Sequence, residues 1–146
     1  MTDSAFVEEN QAARQELADL IAQLDERSLH RAVGSGWTVS TLLCHLAFWD
    51  RMALSLLKEW QSGGHETPRL STLSIDSINA AVRTVSQAVP GTEAARLALD
   101  SAAAVDSMVE GISDELCSQI VRTGFERSLR RSLHRREHLQ KIKTAC

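Results

Sequence analysis

Gly36-Trp37-Thr38-Val39-Ser40-Thr41-Leu42-Leu43-Cys44-His45-Leu46-Ala47-Phe48-Trp49-Asp50 is the stretch on which the fold turns. Thr38 stands where a helix needs its N-cap, able to accept from the amide near Thr41, and the helix it opens is predicted over 39–61. At about 100° per residue, Leu42, Leu46, Ala53, Leu57 and Trp60 form one apolar stripe, with Trp49 just off its middle. His45 falls on the edge of that stripe, flanked by Trp49, Met52 and Leu56. Asp50 lies on the apolar side, where a lone carboxylate would be costly. An arginine from the last helix is its expected partner, with support of a ligand histidine as the second reading.

On the N-terminal side, Gly34-Ser35-Gly36 breaks the chain. Before it, Phe6, Ala13, Leu17, Leu20, Ile21, Leu24 and Leu29 recur at three- and four-residue intervals and predict a helix over 4–30. On the C-terminal side, Ser62-Gly63-Gly64-His65-Glu66-Thr67-Pro68 reads as a long loop reaching about Ser74. A helical run over 75–88 carries Ile78, Val82 and Val85 and stops at Pro90-Gly91. Another follows over 92–110, with Leu97, Ala104, Val105, Met108 and Val109 as its core candidates, and Gly111 ends it. Ser113 caps a short turn through Asp114 and Glu115, and the last helix, over 125–143, presents Phe125, Leu129, Leu133, Leu139 and Ile142. Four main helices, the third preceded by an extra helical segment, predict a bundle with pockets between facing helices. Periodicity leaves open whether it runs up-down-up-down or crosses over.

Composition agrees with an all-α class. Two prolines, seven glycines and no tyrosine among 146 residues disfavour a turn-rich β fold, and the length suits one domain over 1–146. Cys44, Cys117 and Cys146 are odd in number and far apart, which argues against a disulfide framework or an all-cysteine zinc knuckle and fits a reducing cytoplasm. No run approaches the roughly 20 apolar residues of a membrane span, and the acidic start lacks the pattern of a signal peptide. The net charge of −3 hides a split: 8 basic against 17 acidic side chains over 1–116, but 8 against 2 over 117–146. The basic part contains one aromatic, Phe125, and its arginines alternate with leucines. It therefore reads as a basic helix packed beside acidic ones, in preference to an arm for nucleic acid.

His134-Arg135-Arg136-Glu137-His138 sets two imidazoles four residues apart on one helical face, a spacing that can clamp a metal. His45 is the candidate third ligand. The competing reading is a solvated surface pair with a hydrogen-bonded core histidine. On a continuous last helix the pair falls beside Ile142 and Ala145, on a groove or rim. Glu137 reads as an exposed partner of Arg130 or Lys141. Arg135 and Arg136 read either as attractors for an anionic substrate or as a solvated face. Trp37 and Trp49 are core anchors or, for Trp49, a pocket wall. Trp49 and Met52, close to His45, are the candidates for a substrate pocket. Cys44 points away from His45, and His30 and His65 read as surface residues.

Residues Gly36 to Asp50 resemble the second-helix signature of the DinB-like superfamily, which includes the YfiT-like proteins and the N-terminal domain of mycothiol-dependent maleylpyruvate isomerase. In that pattern a tryptophan ahead of the second helix and a histidine in its second turn pair with a late H-x-x-x-H or E-x-x-x-H on the last helix. Trp37, His45, His134 and His138 occupy those places, and Asp76-Ser77-Ile78-Asn79-Ala80-Ala81 looks like the Asn-bearing segment before the third helix. The resemblance implies a four-helix bundle, often a homodimer, with His45, His134 and His138 holding one divalent ion, zinc or nickel. It further implies a small-molecule substrate and either a metal-dependent hydrolase or a transferase using a low-molecular-weight thiol cosubstrate. Toxin-binding resistance proteins without turnover are the alternative within the family. A metal-free helical interaction module is the alternative outside it.

Overall fold

The computed structural model describes residues 4–64 and 71–146. In chain order they form α1 (Ser4–Ala22), α2 (Glu26–Leu29), β1 (Ala32–Gly34), β2 (Trp37–Thr38), α3 (Val39–Gln61), α4 (Thr72–Ser86), α5 (Gly91–Gly111), α6 (Asp114–Arg122), α7 (Glu126–Leu129) and α8 (Ser132–Ala145). The class is all-α apart from the hairpin. The helix opened by Thr38 has the predicted bounds: the Thr38 hydroxyl accepts from the Thr41 amide, and the Thr41 hydroxyl accepts from the Thr38 amide in return. The segment preceding α5 is the helix α4, as expected.

Four expectations need correction. The first helix stops at Ala22, and Asp25 caps the separate turn α2 by accepting from the Ser28 amide. Gly34-Ser35-Gly36 is more than a break: with φ of 101°, 53° and 81°, these residues turn the chain so that β1 pairs antiparallel with β2. Ala32 and Val33 are too few to show strand alternation, so the hairpin left no periodic signal. The turn after Ser113 is a nine-residue helix. The last helix is broken after Leu129, so Leu133, expected in the core, is 43% exposed. On α4, Val85 likewise faces outward. His65 lies outside the described residues.

Helix α3 packs against α5 and α8, and α1 packs against both α5 and α8. The order around the core is therefore α1, α5, α3, α8, which sets α1 and α3, consecutive main helices in the chain, diagonally opposite: the crossed arrangement. Helix α5 turns Ala94, Ala98, Ala102, Val105 and Val109 inward, small side chains that let α3 approach closely, while Leu97, Ala104 and Met108 are only half-buried.

The core has two apolar clusters. One gathers Leu17, Leu20, Val39, Leu42, Leu46, Ala98, Leu139 and Ile142. The other gathers Leu54, Leu57, Trp60, Val109, Ile120 and Leu129. Between the clusters lie Asp50 on α3 and Arg131 and Arg135 on the last segment, and Asp106 of α5, one residue past Val105, pairs with Arg135; all four are buried. A charged layer therefore crosses the middle of the molecule.

Candidate metal centre

The break between α7 and α8 places the histidines. Buried Asn10 of α1 spans it, donating from Nδ2 to the Leu129 carbonyl at 2.7 Å and accepting at Oδ1 from the Ser132 amide at 2.9 Å. This one side chain satisfies an end group of each helix. Because α8 restarts its phase there, the wheel drawn for a continuous helix fails: His138 is buried, His134 is half-buried and Arg135 is fully enclosed.

His45, from the second turn of α3, meets both. Its Nε2 lies 3.1 Å from His134 Nε2 and 3.1 Å from His138 Nε2, and the latter two are 3.2 Å apart. Nitrogens bound at about 2.0–2.1 Å to one ion stand about 2.9–3.4 Å from each other, from octahedral to tetrahedral geometry. The observed triangle falls within that range, so the donor set fits a single divalent cation. Burial, and then the charges of His138 and Lys141, draws His45 down to about 4. Burial and Lys141 do the same to His138, again to about 4. Burial and the Arg131 charge hold His134 well below the ordinary histidine range. All three rings are thus neutral at pH 7, and each keeps one ring-nitrogen lone pair.

Behind the triad lies the charged layer. Asp50 accepts from Arg131 Nε at 2.8 Å and from Arg135 Nη2 at 3.3 Å. Arg135 also donates to both oxygens of Asp106, at 2.7 and 3.0 Å, and to the Asn10 carbonyl at 3.1 Å. Burial works against the Arg135 charge, but the Asp50 and Asp106 carboxylates outweigh it and raise its pKa. The predicted arginine partners of Asp50 are therefore present. Arg135 is no substrate attractor, and Arg136 pairs with Glu16 at 3.1 Å. With Arg130 on Glu9, the basic C-terminal segment meets carboxylates of α1, α3 and α5.

The triad opens into a cavity of about 720 Å³ between the hairpin, α3, α4 and α8. Trp37 and Trp49 form its aromatic walls. Trp37 meets His45 edge-on at 5.2 Å, and Trp49 Nε1 donates to Asn79 Oδ1 at 2.8 Å, tying α4 to α3. Arg83 of α4 lies over the Trp37 ring and donates to the Ser35 carbonyl at 2.8 Å, an approach that leaves little space for a side chain at Gly36. Met52 does not line the cavity. It shares a face with His45 but sits seven residues, about 10 Å, further along α3. Glu137 does line it, and its partner is Arg127, 4.0 Å away, instead of Arg130 or Lys141. His30 is exposed, and Cys44 is buried near Ser86, apart from the triad. Sequence reasoning missed Arg83, Arg127 and Arg131 as cavity residues, since nothing in their spacing sets them apart from other surface arginines.

Aromatic walls around a histidine triad joining two distant helices define a helical domain with a candidate metal site. The sequence profile of the mycothiol maleylpyruvate isomerase N-terminal domain matches residues 11–134, and the chain belongs to that family, within the DinB/YfiT-like superfamily. The matched region contains Trp37, His45, Asp50 and His134, and His138 follows four residues beyond it. No curated protein and no solved structure matches the chain.

Proposed function

We propose that this protein is a four-helix-bundle metalloprotein of the cytoplasm that holds one divalent ion, zinc or nickel, on His45, His134 and His138. Its reaction is the attack of a low-molecular-weight thiol, or of water, on a small electrophile in the adjoining cavity. The observation that carries the reading is the triangle of Nε2 atoms 3.1–3.2 Å apart, built from positions 89 and 93 residues distant in sequence. A divalent cation held by three neutral imidazoles keeps its full charge and brings the pKa of a thiol or water at its open position toward neutrality.

The chain's own contribution is position and enclosure. Trp37 and Trp49 present flat apolar walls for an uncharged part of the substrate, and Asn79 keeps the Trp49 ring fixed. Among the described residues, Glu137 and Asp76 are the carboxylates bordering the cavity, with Glu137 held toward Arg127. Neither makes a hydrogen bond to a triad histidine among the described residues, so no general base is assigned. That observation favours a second reading, a binding protein that captures an electrophile without turnover. The family's name points to mycothiol as the first thiol to test.

Elemental analysis of protein purified without an affinity tag is expected to give about one divalent ion per chain. The ion is expected to disappear in His45→Ala and in the His134→Ala/His138→Ala double variant. A full complement of metal in the triple variant sinks the assignment. Assays with mycothiol, bacillithiol or glutathione and a panel of electrophiles separate the two readings, since one equivalent consumed without turnover indicates capture.

A further inference from the structure

The three histidines are not equivalent on the side facing away from their shared centre. Among the described residues, the Nδ1 atoms of His45 and His138 have no hydrogen-bond partner. His134 Nδ1 lies 3.3 Å from Nη2 of Arg131. A metal-binding imidazole ordinarily gives its second N–H to an acceptor, a carboxylate or a carbonyl, which fixes the tautomer and raises ligand basicity. A guanidinium has donors only. Nδ1 of His134 therefore accepts, and since a neutral imidazole carries a single N–H, that hydrogen sits on Nε2, inside the triangle.

Arg131 is fixed firmly enough to impose this choice. It is 7% exposed, donates from Nε to Asp50 at 2.8 Å and donates from Nη1 to the Arg127 carbonyl at 3.0 Å. Neither contact uses Nη2, the nitrogen that faces His134.

We propose that Arg131 is a positioning residue that latches His134 in the Nε2–H tautomer, so that the metal-free triad is closed by a hydrogen bond from His134 to His45 or His138. Admission of the ion at His134 then requires Arg131 to release Nδ1 while retaining Asp50. The ring hydrogen leaves Nε2 for solvent and Nδ1 takes one up from solvent, which frees the Nε2 lone pair with no net change in charge. This rests on the metal reading above, but its principal test does not need metal.

Nitrogen-15 NMR of histidine-labelled, chelator-treated wild-type protein is expected to find the His134 hydrogen on Nε2. Finding it on Nδ1, or averaged over both nitrogens, overturns the proposal, even where elemental analysis still counts one ion per chain. Arg131→Gln, which offers an acceptor in place of the donor and leaves Asp50 with Arg135, is expected to move the hydrogen to Nδ1. It is also expected to tighten zinc binding about tenfold in chelator competition. A merely structural role for Arg131 predicts weaker binding. Unchanged or weakened affinity in the folded variant overturns the latch.

Discussion

An imidazole enclosed by other imidazoles and by cations resists taking up a proton, and that resistance is a term in folding. His45 and His138 are drawn from 6.5 to about 4, and His134 is held well below its ordinary range by burial, whereas in the unfolded chain they titrate normally. Between pH 6.5 and 4 the unfolded state therefore binds more protons than the folded one, and stability falls as pH falls through that window. In chelator-treated protein the urea midpoint is expected to drop between pH 7 and pH 5, above the range where most carboxylates titrate. The slope is expected to flatten in the His45→Ala variant. An unchanged midpoint across that interval in the wild-type protein contradicts neutral burial of the triad. The identities of these residues were legible in the sequence. That Asp50 needs an arginine was legible too, because an isolated carboxylate on an apolar stripe demands one. Which arginines answer it was not, because Arg131 and Arg135 look like their neighbours until the helix break sets their phase.

At the scale of elements, the interruption between α7 and α8 is what aims His134 and His138 at α3, and Asn10 holds it. Asn10→Ala removes both of its side-chain hydrogen bonds and leaves a buried carbonyl and a buried amide unmatched. The expected loss is about 2–4 kcal/mol in denaturant unfolding, with a lower metal affinity because Ser132 is two residues from a ligand. A loss under about 1 kcal/mol means the break is held by something else. Helix α3 was readable to the residue because its stripe and its cap agree. The α7–α8 segment was not. Its apolar residues fit a continuous helix equally well, and Asn10, which decides the matter, is more than a hundred residues away.

For the whole molecule, the triad would act as a staple between α3 and α8, which meet at one end of the core. An ion that binds only the folded state adds about 2.7 kcal/mol when present at a hundredfold excess over its dissociation constant. In a domain of this length that corresponds to a Tm higher by about 5–10 °C. Thermal melts with zinc, and then with chelator, are expected to differ by that amount in the wild-type protein and not in His45→Ala. Equal melts in the wild-type protein count against metal binding in the fold.

By itself the sequence determined the all-α class and, to the residue, helix α3 with its apolar face, because these follow from local spacing, caps and breakers. It also marked Trp37, His45, His134 and His138 through a family pattern. The order of helices around the core, the charged layer between two apolar clusters and the contact of Arg131 with His134 were decided only by tertiary structure. Each depends on groups from different helices arriving at one place, and no local rule of spacing encodes where distant helices meet.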